Sequence, residues 1–440
     1  MTRQTIRLFR VPLVFNILLS SLGALALQGN SAFAEGLPAF SAEDVFEMEY
    51  ANDPQVSPDG ARVAYVRSTM DIMTDSTRRT IWVVDVDGDN HRPLVSGAGN
   101  VSSPRWSPSG DRLAYLSNTE GKTQLFVQWL DGGETAKVTT LAESPRSIVW
   151  SPDGKHIAFT RFVPAPPPTL AEMPAKPKGA KWAEPATVVD RMTFRFDGGG
   201  YLPTGNQQVF VVPADGGTPR QMTSGDYPIS GSVSWMPDSQ SIIFSSNRRE
   251  DVEYHPRQND LYAASLATGE LTQMIDHAGP ESDPAVSPDG RFLAYTSAAD
   301  TRQGYNRADL RVMDLASGES RSLTADLDRS VSDIQWSADS KSVWIRYNDL
   351  GMGRIAEVDL KGNLRQADIV LGGTALGRPY TSGTFSVGGE GRIAYTLGRD
   401  DRPADLALMR SGKQPLQLTD LNSDLMGQRE MSRVERMVWP

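Results

Sequence analysis

Glu250, Asp251 and Glu253 place three carboxylates within four residues, in the run Arg248-Arg249-Glu250-Asp251-Val252-Glu253-Tyr254-His255. Carboxylates grouped this way in a loop can bind a cation or the ammonium group of a substrate, although most such charge runs are solvated loops. Ser386 is the nearest approach to a nucleophile. Thr384-Phe385-Ser386-Val387-Gly388-Gly389 resembles a Gly-x-Ser-x-Gly elbow with Thr at the first glycine. An elbow needs a strand-turn-helix setting, and no helical period follows, so Ser386 reads as structural. The four histidines, His91, His156, His255 and His277, include no pair at metal-ligand spacing. With no cysteine in the chain, disulfides, thiol catalysis and Cys-ligated metals are excluded. No phosphate loop or dinucleotide fingerprint is present. The reading assigns no catalytic residue, no metal and no cofactor.

The elements that would position these residues come from a repeat. Gln55-Val56-Ser57-Pro58-Asp59-Gly60 returns as Arg105-Trp106-Ser107-Pro108-Ser109-Gly110, Trp150-Ser151-Pro152-Asp153-Gly154 and Val286-Ser287-Pro288-Asp289-Gly290. Degenerate copies are Trp235-Met236-Pro237-Asp238-Ser239, Trp336-Ser337-Ala338-Asp339-Ser340 and Phe385-Ser386-Val387-Gly388-Gly389. The apolar positions 56, 106, 150, 235, 286, 336 and 385 recur at a period near 50, which implies stacked or radial repeats. In each copy Pro fixes φ for the first turn position, Asp suits the second and Gly supplies positive φ. An alternating strand follows, such as Arg62-Val63-Ala64-Tyr65-Val66, then a third strand, a Gly hairpin and a short fourth strand. Four strands per period over seven periods predict an all-β, seven-bladed β-propeller.

One interval is 85 residues, which predicts an insertion at 163–205 in the third blade rather than an extra blade. Six prolines between Val163 and Lys178 make its first part extended, and Val188 to Asp197 suggests a hairpin. Residues 1–34 read as a signal peptide: Arg3, Arg7 and Arg10, an apolar run, then Ala32-Phe33-Ala34. The expected location is periplasmic or secreted, with no membrane contact after cleavage. Residues 35–52 form a leader with a capped helix from Ser41; the propeller spans 53–425 and a linker stub 426–440. The chain carries a net charge of −10, and the signal segment contributes cations but no acid. That balance argues against nucleic acid or an anionic membrane as a partner.

In order, these features resemble the N-terminal propeller of the prolyl oligopeptidase family of serine peptidases, in its dipeptidyl aminopeptidase/acylaminoacyl-peptidase-like branch. The resemblance rests on the leader Phe40-Ser41-Ala42-Glu43-Asp44, the Ser-Pro-Asp-Gly copies, and Lys181-Trp182, Asp190-Arg191 and Phe196-Asp197-Gly198. Glu253-Tyr254-His255-Pro256-Arg257 and Leu418-Thr419-Asp420-Leu421-Asn422 complete it. It implies a substrate-gating propeller joined to an α/β-hydrolase domain of roughly 200–250 residues. Peptide would then be the substrate, with Glu250, Asp251 and Glu253 as candidates for holding its terminus. The tail Val434-Glu435-Arg436-Met437-Val438-Trp439-Pro440 resembles the entry strand into that domain, so the expectation is a truncated propeller, non-catalytic by itself. The alternative expectation is a periplasmic TolB-like scaffold that binds a protein partner.

Overall fold

The computed structural model describes residues 36–438, apart from 172–173, 184–185, 276, 302, 304, 374–382, 411–412 and 436. The expected signal segment lies outside the described residues. The chain forms seven sheets of four antiparallel strands, a seven-bladed propeller. Blades one and two are Glu49–Val56, Arg62–Asp71, Ser76–Asp85, Arg92–Val95 and Val101–Trp106, Arg112–Ser117, Gln124–Trp129, Thr135–Lys137. Blade three is Pro145–Trp150, His156–Pro164, Gly205–Pro213, Arg220–Gln221, with the insertion between its second and third strands. Blades four and five are Ile229–Trp235, Ser241–Ser246, Asp260–Ser265, Leu271–Gln273 and Glu281–Val286, Phe292–Ala298, Ala308–Asp314, Ser320–Ser322. Blades six and seven are Val331–Trp336, Ser342–Asp349, Met352–Asp359, Leu364–Gln366 and Phe385–Val387, Ile393–Leu397, Asp405–Met409, Leu416–Gln417. First strands of neighbouring blades touch one another, so the first strand is innermost.

The repeated phrase is the turn after each innermost strand. Ser57 Oγ donates to Asp59 Oδ1 and accepts from Arg62 N, while Asp59 Oδ1 also accepts from Ala61 N. The Asp is therefore a turn former. Gly60, Gly110, Gly154 and Gly290 adopt positive φ, and so do Ser239 and Ser340 where the copies are degenerate. Those two serines are compensated across the blade boundary: Asp153 N donates to Ser239 Oγ and Asp289 N to Ser340 Oγ, each at 3.1 Å.

The tryptophan of the phrase joins blades. Trp106 Nε1 donates to Gln55 O at 2.9 Å, Trp150 to Arg105 O at 3.0 Å, Trp235 to Val149 O at 3.2 Å and Trp336 to Ala285 O at 2.8 Å. Each indole shares a cluster with an alanine on the second strand of the preceding blade, namely Ala64, Ala114, Ala158 and Ala294. A large residue on one blade thus meets a small one on the other, which fills the wedge without strain.

Strand pairing corrects the last repeat. Val387 pairs with Ile393 as Val56 pairs with Val63, so the seventh phrase is Val387-Gly388-Gly389-Glu390-Gly391, two residues later than the sequence alignment placed it. The phrase there lacks both Ser and Pro, which left the pattern nothing to anchor on. Ser386 lies inside the sheet and its Oγ accepts from Val56 N at 2.9 Å, a structural role.

The ring closes without strand exchange. Ala51 N donates to Ala404 O at 2.8 Å. Buried Asn422 accepts from Glu49 N and donates to Glu49 O, both at 2.8 Å. Asp44 takes two bonds from Arg429, at 2.6 and 2.8 Å. The leader helix is a 3-10 turn, Glu43–Glu47, too short for an α-helix, with Ser41 N donating to Asp44 Oδ2 at 2.7 Å. A short α-helix, Ser423–Met426, follows blade seven and has no counterpart in the sequence reading. Among the described residues no helix is long and apolar enough to cross a membrane.

Candidate functional site

In each blade the loop between strands two and three opens on the face opposite the Ser-Pro-Asp-Gly turns, here termed the upper face. The insertion occupies this position in blade three, residues 247–259 in blade four and 299–307 in blade five. The chain ends share this face, since Glu49 pairs with Thr69 near the upper end of its sheet and is clamped by Asn422.

The insertion extends its two parent strands to the pair Pro164–Gly205. Beyond that it carries a small hairpin, Arg195–Phe196 against Gly200–Tyr201. Ring centroids of Phe194 and Tyr201 lie 6.1 Å apart. The hairpin is anchored to the rim by Asp226, which accepts from Arg191 at 3.2 Å and from Asn206 Nδ2 at 2.6 Å.

Blade four supplies the carboxylates. Buried Asn247 ends the second strand, and its Nδ2 donates to His255 O at 2.7 Å, pinning the loop at both ends. Arg248 stacks 4.3 Å over the Tyr227 ring. Arg249 Nε donates to Asp251 Oδ1 at 2.8 Å, and His255 Nε2 lies 3.5 Å from Asp251 Oδ2. The Arg249 contact holds the Asp251 carboxyl below its ordinary range. Glu253 Oε2 accepts from Met192 N at 3.3 Å, which ties the loop to the insertion. Glu250 is exposed, with no hydrogen-bond or ion-pair partner among the described residues.

The sequence-predicted trio therefore sits together on one loop but in three different states. Asp251 is committed to its own loop and Glu253 to the insertion, whereas Glu250 faces solvent. The loop continues into blade five: Arg257 donates to Gln303 O at 3.3 Å and Gln258 Nε2 to Asp300 Oδ2 at 3.1 Å. Tyr254 and Tyr305 are 73% and 69% exposed, and Phe196 and Tyr201 are 60% and 64% exposed. Exposed aromatics on the upper-face loops of blades three to five form a rim suited to contact with another surface or an extended chain. The sequence reading missed the rim. Its signal was the number of aromatics in segments that carry no strand period.

Two carboxylates set within the sheets, one half-buried and one fully buried, lie elsewhere. Asp283, on the innermost strand of blade five, is pushed up by burial and by neighbouring Asp333. Asp405 is fully buried in blade seven; its Oδ1 accepts from Thr419 Oγ1 and Leu421 N, and burial pushes its carboxyl up. Among the described residues no three His, Asp or Glu side chains gather to hold a metal ion.

With this geometry, comparison with known proteins becomes informative. Residues 39–163 match the TolB beta propeller domain, and residues 182–301 match the dipeptidyl peptidase IV (DPP IV) N-terminal region. Dipeptidyl-peptidase 5 of Porphyromonas gingivalis is 26% identical over 369 residues, covering 80% of this chain and 53% of the relative. The uncharacterized peptidase YuxL of Bacillus subtilis is 26% identical over 420 residues, covering 90% of this chain and 61% of the relative. The chain thus spans little more than half the length of these relatives. Among solved structures, Pyrococcus horikoshii acylaminoacyl peptidase shares the fold, with a TM-score of 0.67 at 18% identity over 89% of this chain and 56% of its own. Both family matches and both relatives point the same way: the chain carries a β-propeller similar to the N-terminal propeller of the prolyl oligopeptidase family of serine peptidases.

Proposed function

We propose that this propeller restricts and orients peptides for a serine-hydrolase domain seated on its upper face. In this proposal the carboxylates of the blade-four loop hold the substrate amine. The observation that supports this reading is the convergence on one face of both chain ends, the third-blade insertion, the aromatic rim and the carboxylate loop. Glu250 is the member of the trio whose charge has no partner among the described residues. Arg249, Asp251 and Glu253 set the loop that presents it. An exposed ammonium–carboxylate pair is worth only about 0.2–1 kcal/mol, so most of the grip on a peptide would come from the aromatic rim. In this reading residues 1–34 act as a signal peptide that directs the protein out of the cytoplasm.

The first test is an immunoblot of periplasmic and cytoplasmic fractions of the source organism with antibody against the propeller. A periplasmic band larger than the propeller by roughly one domain, active on peptide nitroanilides and blocked by a fluorophosphonate, is expected. A 48.0 kDa product, less its leader, that co-purifies with a protein partner would overturn it in favour of a TolB-like scaffold, the reading that the match at residues 39–163 favours. The site assignment is tested on the same peptidase: Glu250→Gln should raise KM for peptides with a free amino terminus and leave N-acetylated ones unchanged. An equal effect on both would remove Glu250 from that role.

A further inference from the structure

The lower face carries a second feature, at the boundary of blades six and seven. Around the ring, each Ser-Pro-Asp-Gly turn abuts the next. Gly110 lies against Pro58, Gly154 against Pro108 and Gly290 against Pro237. The Ser239 and Ser340 bonds serve two further boundaries, and Gly60 meets Gly389 O at the closure. Between blades six and seven the contact is missing. Ala338 stands where the others have proline, and a Cβ placed on Gly391 would meet nothing within 4 Å.

The packing rule is inverted at the same boundary. The second-strand position filled by Ala64, Ala114, Ala158, Ala294 and Ala394 holds Ile243 in blade four and Trp344 in blade six, and the innermost-strand position that tryptophan fills in blades two, three, four and six holds Val286 in blade five and Val387 in blade seven. The indole now comes from the preceding blade. Its N–H has no partner among the described residues, unlike the four tryptophans that reach a neighbouring carbonyl. A cavity of about 620 Å³ opens there, lined by Trp344, Val387, Gly391 and the charged groups around them. Those charges already have partners, Asp359 accepting from Asn363 Nδ2 at 2.7 Å and from the backbone N–H groups of Lys361 and Asn363. Lys341 Nζ lies 3.4 Å from Asp339 Oδ2, and Arg365 pairs with Glu357, which also accepts from Ser342 Oγ at 2.7 Å.

We propose that this cavity is a binding site for a neutral hydroxylated ring compound, a saccharide. An indole beside charges that already have partners offers a flat apolar contact ringed by hydrogen-bonding groups, and the lining holds one more carboxylate than cations, which disfavours an anion. Its volume falls within the range of small-molecule pockets. The site lies on the face opposite the chain ends and the aromatic rim, so a partner on the upper face leaves it open.

The test is calorimetric titration of the full chain with maltotriose, cellotriose and triacetylchitotriose. At least one should bind saturably with a dissociation constant on the order of 1 mM. Trp344→Ala should weaken it about tenfold or more. Because that variant also loosens a blade boundary, Arg365→Ala at the exposed rim provides a second reading without touching the core, and it too should weaken binding. Ala338→Pro, which restores the missing turn contact, should narrow the mouth and reduce binding while the fold is retained by circular dichroism. No heat with any of the three sugars, or binding unaffected by both Trp344→Ala and Arg365→Ala, would overturn the proposal.

Discussion

Asn422 offers a sharp test of how the ring is held shut. Its amide is fully buried and acts as a one-residue strand, accepting from Glu49 N and donating to Glu49 O at 2.8 Å each. Asn422→Ala removes both bonds and leaves a donor and an acceptor of the first innermost strand unmatched. Each lost bond is worth about 0.5–1.5 kcal/mol net, and each unmatched buried group costs about 1–3 kcal/mol. Glu49 is only half-buried, so water relieves part of that penalty, and the expected loss is about 2–4 kcal/mol. Asn422→Asp separates the two bonds. A carboxylate still accepts from Glu49 N, but its second oxygen faces the Glu49 carbonyl and cannot donate unless protonated. Its folded pKa is therefore raised, and the stability tied to the proton is fully present below the ordinary carboxylate range and lost as pH rises through the folded value. Urea midpoints followed by tryptophan fluorescence at neutral pH and near the carboxylate range would measure both variants. Asn422→Ala should be destabilised at both pH values, while the deficit of Asn422→Asp should shrink on acidification. An Asn422→Asp protein as stable as the parent at neutral pH, or one whose deficit grows in acid, would refute the two-bond clamp.

Two further predictions concern buried and paired carboxylates. Asp405 is raised by burial, and its Oδ2 has no hydrogen-bond partner among the described residues, so its contribution is present below the ordinary carboxylate range and lost as pH rises through the raised value. Asp405→Asn keeps the acceptor for Thr419 and Leu421 and should gain melting temperature relative to the parent as pH goes from acid to neutral; a flat difference across pH would contradict it. Asp44 is held well below the usual carboxylate range by Arg429, whose two bonds are the leading cause. Its contribution is present at neutral pH and lost only as pH falls through the depressed value. Arg429→Ala should therefore lower the melting temperature at neutral pH and lessen the acid sensitivity of the clasp, both read by thermal melts from neutral pH into acid.

The fold was legible because each turn states its own geometry. Pro, Asp and Gly at fixed offsets name a turn, and the Trp or Val before it names an innermost strand, so the repeat could be counted without any long-range information. Blade seven was misplaced by two residues for the same reason. Gly388-Gly389-Glu390-Gly391 makes the turn without the residues that announce it, and only pairing of Val387 with Ile393 restores the register. The register shifts in the innermost strands, with positive φ at Asp53, Ser103, Ser147, Gly231, Asp283 and Asp333, had no readable mark. A bulge depends on how a strand must bend against its neighbours.

The candidate site was legible only as composition. Glu250, Asp251 and Glu253 stood out as a charge run, but nothing in their spacing says that Asp251 answers Arg249 and His255 while Glu253 reaches a backbone amide about sixty residues away in the chain. The first pairing is set by the turns of the blade-four loop itself and the second by the third-blade insertion reaching that loop, contacts made by segments that lack strand periodicity.

This division follows from the architecture. Positions that must fit a neighbouring blade are constrained in most repeats, so the lower turns look alike and an alanine–tryptophan pair recurs at four of the boundaries. A place where one of them departs is informative in proportion to how regular the others are. Trp344 against Val387 is such a departure, because either residue alone would be an ordinary core substitution. Together they move the indole from one blade to the other, and they do so where the proline–glycine turn contact is also absent. Ile243 against Val286 makes the same exchange of large and small between blades four and five, but there the Pro237–Gly290 contact is kept; between blades six and seven that contact is lost as well, and the indole is left beside a cavity because nothing fills the space it vacates.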